Sequence, residues 1–591
     1  MRSPLLQLTV CSLAAVVACG SATGPSDHPH GSASAPASAS EVKPHVVPDE
    51  ARALKDDLYA VAAENETAVA TARTVLERGG SAVDAAVAGV LVGCAAHAAS
   101  CSIGGGGAAM LWDASTKSAT FLDFREVAPS GVSPGDYVSK NPSRDQRGLL
   151  VGVPGLIAGL YEMHRRGGKL AWSDVVKIAA ADVAKGFPLS PYMAQAVEWS
   201  ASWAYKDPSA RSVAPSDAKN RIGDTIENAP LARLLESIAE QGPDAVYKGP
   251  VASQIVQAAR AFDSPIKLGD LAAYAPVARE PIQLAYGDKT VVLAPPPSGA
   301  GFNIAQLLTM FTSDDLVKLD PGSGRYVHAL SEGLRSSYAD RARFIGDPAF
   351  TRADMSQLLD PSSLRTRRAQ FPEDSTTMPH LRSVSEFGTF HISVVDGLGN
   401  VVACTASVGS VFGAQIVTES GFVLNDALSD FAFDDYAEKL VTRGPNFVRG
   451  GARPTSNAAP TLVLSEGAPI LALGGSGGLR AASGVAEVLF HILAEGASLP
   501  DAITAARFHV TATGALKLEP ELASIAADVT ARGEAVEVKP YSFSAVTGVA
   551  IRRVDKARVL EPVFDPRKGG AVTVGHSEAP IDNATEDVVH P

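Results

Sequence analysis

The chain has 591 residues, 46% of them hydrophobic and only 6% aromatic, with 51 basic against 64 acidic side chains for a net charge of −13. That length can bury a core large enough for two or more subdomains. No basic run of the kind that tracks a phosphate backbone is present, which excludes nucleic acid as a partner.

Arg2 precedes an apolar run, Leu5 to Val17, that is too short and too early to be a spanning helix and reads as an export signal. It ends in "VVAC" (Val16 to Cys19), which resembles the bacterial lipoprotein processing box. On that reading residues 1–18 are removed and Cys19 becomes a lipidated first residue in a bacterial periplasm or envelope, touching membrane through the lipid alone. The alternative is an ordinary secretory cut near Ala18 or Ser21. Residues 19–48 are a Ser/Ala/Pro-rich tether that cannot pack a core, and His28 and His30 within it read as solvated.

From about Asp49 to His97 the pattern reads as helical, with Ser81 and Asp84 in capping-box spacing. Within it Cys94 is seven residues from Cys101, and sequence leaves open whether the two thiols are bridged. Cys404, in an alternating apolar stretch, reads as a buried thiol. Gly104 to Pro129 reads as two strands around a polar turn at Ser115 to Lys117. Residues 154–262 read as mostly helical, Tyr286 to Ala294 as strand, and 363–387 as a polar loop. After Thr389 the texture becomes strands, interrupted by a helix at Ala481 to Ala497. Helices before the break and paired strands after it predict a layered α+β arrangement, helices covering both faces of two stacked sheets.

Thr389 follows Gly388 where the alternation begins. A threonine hydroxyl is a poor nucleophile without a base, but as the first residue of a chain its own α-amine, with an ordinary pKa of about 7.7–8.0, can serve. Gly388 permits the backbone geometries in which that hydroxyl attacks the preceding carbonyl. The chain would then divide into a large subunit, 49–388, and a small one, 389–591, that remain together as a heterodimer.

Several blocks in order carry a resemblance from about Leu58 to Val574: "GGSAVDAAVA", "IGGGGAAMLWD", "DFREVAP", "PPPSGAG", "SYADRARFIGDPAF", "TFHISVVDGLGN", "ESGFVLNDALSDF", "RPTSNAAPT", "GGSGGLR" and "DPRKGGA". Together they resemble the γ-glutamyltransferase family, N-terminal-nucleophile enzymes with a four-layer αββα sandwich that split themselves before a threonine. The resemblance implies that Thr389 is nucleophile and new N-terminus, and that Arg125 holds the donor's α-carboxylate, for which a guanidinium fork is suited. It implies that Gly477 and Gly478 offer N–H groups to the oxyanion, at about 3 kcal/mol of barrier per fixed donor. It places Ser407 beside the nucleophile's amine, Asp430 on the donor's α-amine, and Ser456 with Asn457 on its carboxylate. The expected substrates are γ-glutamyl or related acyl amides, with water, an amino acid or a peptide as acceptor. No metal or organic cofactor is expected, because the histidines show no ligand spacing.

Three positions depart from the family. Gly409 replaces an asparagine, and Ala427 a Gln or Glu, at the amine end of the pocket, while Asn457 replaces a serine. These changes predict weakened γ-glutamyl selection and a relative that accepts glutaryl amides, as cephalosporin acylases do, or that processes polyglutamate. Restoring Gly409→Asn with Ala427→Gln is then expected to improve γ-glutamyl turnover. A silent, tethered binding protein is the remaining alternative. The segment between Phe431 and Arg453 resembles the family's lid, and Tyr436 and Phe447 read either as lid aromatics or as surface loop residues.

Overall fold

The computed structural model describes residues 57–135, 137, 144–377, 388–432, 444–540, 544–555 and 557–577. The export signal, Cys19, the tether and Tyr436 lie outside them. The chain enters as β1 (Leu58–Ala63), forms helices α1 (Glu66–Glu77) and α2 (Ala82–Ala96), and returns as the hairpin β2 (Gly106–Asp113) and β3 (Ser118–Phe124). A helical excursion leads to β4 (Val277–Arg279) and the hairpin β5 (Ile282–Tyr286) and β6 (Lys289–Leu293). Helices α3 (Gly299–Met310), α4 (Gly324–Phe344) and α5 (Pro361–Arg368) follow. Then come β7 (Phe390–Val395), β8 (Val401–Ser407), β9 (Thr461–Ser465), β10 (Ala468–Ser476), helix α6 (Arg480–Leu493) and strands β11 (Ala545–Val554), β12 (Ala557–Val563) and β13 (Ala571–His576).

Two antiparallel sheets result, in the orders β13-β1-β7-β8-β2-β3-β4 and β12-β11-β10-β9-β6-β5. Strand alternation divides each between two cores. In β1, Leu58, Ala60 and Ala62 join Met110, Val292, Leu462 and Val549 between the sheets. Tyr59, Val61 and Ala63 turn outward and join α1 and α2. On the other outer face α3, α4 and α6 pack on Val291, Leu293, Val463 and Leu473. The order is helices, sheet, sheet, helices: the expected four-layer αββα sandwich.

Two local expectations are corrected. Leu58–Ala63 is a strand, not helix, because its Ala-rich run is paired on both edges, to β13 and β7. Residues 361–368 form a helix where a loop is expected; Asp360 caps it through Ser363 N–H, and only Leu364 is buried, so there is no apolar stripe to read. The Gly104–Gly107 run lets backbones approach closely, since a Cβ on Gly105 would lie 2.2 Å from the Ser407 carbonyl oxygen. Cys94 and Cys101 are bridged, and Cys404 is a buried free thiol that burial pushes up to about 12.

Candidate active site

Strand β7 sets the site. Phe390, Ile392 and Val394 face the helices. His391 lies on the opposite face, between the sheets, where it meets Thr405 Oγ1 at 2.8 Å and Ser393 Oγ at 3.0 Å. Burial holds its pKa down to about 3, with Lys568 adding to the effect, so it is a neutral packing group and not a base. By period 2, Thr389 shares the His391 face and opens into the inter-sheet cleft.

Thr389 is 8% exposed. Its Oγ1 donates to Ser407 Oγ at 3.3 Å, and Ser407 Oγ also accepts the Gly409 N–H at 3.1 Å. The Thr389 N–H donates to the Ser100 carbonyl at 3.0 Å. Backbone strain is concentrated here: Gly388 has φ +96° and Thr389 φ +85°, the latter a region a β-branched residue avoids. The Gly388 carbonyl, which precedes Thr389, accepts the Gly477 N–H at 3.2 Å. Lys568 contributes an ammonium that touches the Thr389 carbonyl and pairs with Glu64 at 2.6 Å.

Beyond Thr389 lies a cleft of about 530 Å³, open mouth included, lined among others by Arg125, Ser407, Gly409, Asp430, Ser456, Asn457 and Gly478. The fold thus gathers every expected pocket residue except Gly477, which stands behind Gly478 with its N–H on Gly388. Arg125, just past β3, donates Nη1 to Glu126 Oε2 at 3.1 Å and Nη2 to Asp430 Oδ2. Burial alone would lower its pKa, but Glu126 and Asp430 outweigh that and raise it, so the guanidinium stays charged. Burial also drives Glu126 up to about 7 against the pull of Arg125. Asn446 ties this end together, donating to the Asp430 carbonyl at 2.6 Å and to Thr455 Oγ1 at 3.1 Å.

At position 409 the expected restoration of an asparagine meets an obstacle in the packing. Gly409 has φ +95°, and a Cβ there would sit 1.9 Å from Asp426 Oδ1, which accepts the Ser410 N–H at 2.8 Å. An asparagine cannot be restored without displacing Asp426. Ala427 is fully buried, with its N–H on Asn425 Oδ1 at 3.1 Å. Phe447 does not line the cleft; Arg449 stacks over its ring at 5.7 Å.

Sequence reasoning gave no role to four groups that meet the site: Ser100, Asp426, Arg341 and Lys568. Arg341 and Lys568 sit inside blocks that carry the resemblance, "SYADRARF" and "DPRKGGA", so the signal was present without an assignment. Among the described residues no cluster of three or more His, Cys, Asp or Glu could hold a metal ion, and no helix is long and apolar enough to cross a membrane.

Two stacked antiparallel sheets between helical layers, with a threonine at a strand start facing the cleft, define the N-terminal-nucleophile hydrolase class. A similar fold, with TM-score 0.78 at 21% identity over 92% of this chain and 99% of the other, is that of a cephalosporin acylase from Bacillus halodurans. A family profile described as gamma-glutamyltranspeptidase matches residues 68–575. A glutathione hydrolase proenzyme of Pseudomonas aeruginosa is 31% identical over 86% of this chain and 93% of its own length. One of Escherichia coli is 31% identical over 76% and 80%, respectively. An acylase ACY 1 proenzyme of a Pseudomonas species is 29% identical over 83% and 89%. The chain belongs to the gamma-glutamyltranspeptidase family and is an enzyme of that kind.

Proposed function

We propose that the protein is an exported, self-cleaving γ-glutamyl hydrolase or transferase that works through an acyl-enzyme on Thr389. The observation that carries this reading is the Arg125–Asp430 ion pair, both partners nearly buried, beside the Thr389–Ser407 hydroxyl pair. A γ-glutamyl donor bears one carboxylate and one ammonium on the same carbon. It can part the two side chains and satisfy each, Arg125 with the carboxylate and Asp430 with the ammonium. A glutaryl donor offers only the carboxylate, so it draws Arg125 from Asp430 without supplying a cation in exchange, which is costly.

The chemistry runs in two rounds. In the precursor, Thr389 Oγ attacks the Gly388 carbonyl carbon, whose oxygen already accepts the Gly477 N–H. The C–N bond breaks, the peptide nitrogen leaves as the Thr389 α-amine, and the resulting ester is hydrolysed to free Gly388. In turnover, the α-amine takes the Oγ proton while Oγ attacks the donor's side-chain carbonyl. The Gly477 and Gly478 N–H groups meet the oxyanion, and the proton passes to the departing amine. Water or an amino-acid amine then releases the acyl group. Ser407 holds Oγ in line. Arg125, Ser456 and Asn457 hold the α-carboxylate. The large subunit ends at Gly388, and lipidation at Cys19 would tether the enzyme to a bacterial envelope.

A second reading, an acylase for glutaryl or similar amides, is favoured by Gly409 and Ala427, which remove two side chains from the amine end. Two measurements separate the readings. Wild type should run as two bands on a denaturing gel and Thr389→Ala as one band at their combined size. The processed enzyme should turn over a γ-glutamyl anilide at least tenfold better than the glutaryl anilide. The reverse preference would replace this reading with the acylase, and an uncut, inactive wild type would leave a binding protein.

A further inference from the structure

Arg341 is a buried arginine at the C-terminal end of α4, 2% exposed, that neither the nucleophile nor the oxyanion donors require. It reaches the cleft through one side chain, donating Nη1 to Asn457 Oδ1 at 2.7 Å. We infer that Arg341 is a positioning residue that locks the Asn457 amide with its NH2 group toward the cleft, making the carboxylate end a surface of donors only. The inference rests on the proposed reading of Arg125, Ser456 and Asn457 as the carboxylate end.

A guanidinium has donors and no acceptor, so the atom that Asn457 turns to Arg341 must be its carbonyl oxygen. The planar amide then directs its NH2 away from Arg341. Asn457 lines the cleft, and its Nδ2 makes no hydrogen bond among the described residues, so both protons remain for a ligand. A serine at this position would need no such partner, because a hydroxyl rotates to suit. An amide has two faces of opposite polarity. Released from Arg341, it can turn over and present an acceptor to the donor's carboxylate, replacing attraction with repulsion.

The surrounding packing holds Arg341 in this pose. A Cβ on Gly299 would lie 2.1 Å from Arg341 Nε and 2.2 Å from Cζ, so the "PSGAG" turn leaves a slot that the guanidinium fills. Asn303 Oδ1 lies 3.5 Å from the same Nη1, and Asn303 is itself held by its Nδ2 on Ser337 Oγ at 3.1 Å. Burial lowers the Arg341 pKa to about 10, with Asp430 opposing and Arg125 adding to the fall, so the group remains a cation at neutral pH. The coupling to both Arg125 and Asp430 puts its charge within reach of the donor-binding pair.

The test compares a γ-glutamyl anilide with a 4-aminobutyryl anilide, which is the same donor without its α-carboxylate, using the processed full-length enzyme. Variants are Arg341→Met, Asn457→Ser and the double substitution. Arg341→Met should raise KM for the γ-glutamyl anilide about tenfold, with kcat changed by less than threefold and KM for the carboxylate-free donor unchanged. In the Asn457→Ser background the same substitution should change the ratio of the two KM values less than twofold. If Arg341→Met does not fold, Arg341→Lys keeps the charge and should give the same selective, Asn457-dependent rise at smaller size. Equal rises for both donors, or an unchanged selective effect in the Asn457→Ser background, would overturn the inference. A wild type that handles both anilides equally would overturn the assignment of the carboxylate end itself, and this inference with it.

Discussion

The two ends of the cleft are built on opposite principles. At the carboxylate end the polar groups are supported from behind: Arg125 by Glu126 and Asp430, Asn457 by Arg341 and Ser456 by a backbone bridge to Ser298. At the amine end the side chains are pared away at positions 409 and 427, and a neighbouring carboxylate, Asp426, fills the space beside Gly409. On the proposed function, the first end would select by fixed direction and the second by charge. Directional selection tolerates little change in its supports, whereas charge selection tolerates movement but not neutralisation.

The largest break should come from Arg125→Leu, which removes the proposed donor partner and takes a buried cation away from Glu126 and Asp430. We expect kcat/KM for the γ-glutamyl anilide to fall about 10²–10³-fold, the size of losing one partner of a buried charge pair. Steady-state kinetics on folded protein checks this. A loss below tenfold would remove Arg125 from donor binding.

Next is Gly409→Ala. It puts a Cβ on Asp426 and forces a positive φ on alanine, so thermal melting should show a loss of about 2–3 kcal/mol. Adding Asp426→Ala should recover part of that loss, since the clash is with its carboxylate. No recovery would mean that backbone strain dominates at this end.

The disulfide comes third. Cys94 and Cys101 close the turn carrying Ser100, whose carbonyl accepts the N–H of both Thr389 and Val408. Replacing both cysteines by alanine should cost about 2 kcal/mol of stability. It should also slow appearance of the two chains in a time course on a denaturing gel.

The smallest effect is a pH trend. Glu126 is held at about 7, above its ordinary 4.5, chiefly by burial. It faces Arg125, Asp430, Asp426 and the buried phenols of Tyr247 and Tyr274. Below pH 7 it is neutral and leaves the Arg125 charge to the donor; above pH 7 its carboxylate competes. Donor KM should therefore rise several-fold as pH climbs through 7, and Glu126→Gln should flatten the rise. The stability sign is consistent: between pH 4.5 and 7 the folded state holds a proton that the unfolded chain has released, so this group's contribution falls as pH rises.

Much of this was legible in the sequence, for physical reasons specific to each part. The alternation from Phe390 to Val395 announces a strand because both of its faces are buried against different layers. Leu58–Ala63 misleads because a six-residue Ala-rich run carries no period that excludes a helix. Pro361–Arg368 misleads because an exposed helix needs no apolar stripe. The identities at the cleft follow from ordered motifs. The contacts that orient them do not, because Arg341 meets Asn457 across 116 residues of chain and Gly409 meets the side chain of Asp426 only after folding.

The hydrogen bond from Gly477 N–H to the Gly388 carbonyl has a consequence for biogenesis. Gly388 enters β7 of one sheet, and Gly477 leaves β10 of the other. On the proposed self-cleavage, the scissile carbonyl is polarised only after both sheets have docked face to face. Cutting then serves as a checkpoint on assembly: a chain with one sheet misplaced keeps its threonine blocked and inert. Cleavage also abolishes the torsion that holds Thr389 at φ +85°, so a chain that has passed the checkpoint does not readily return through it.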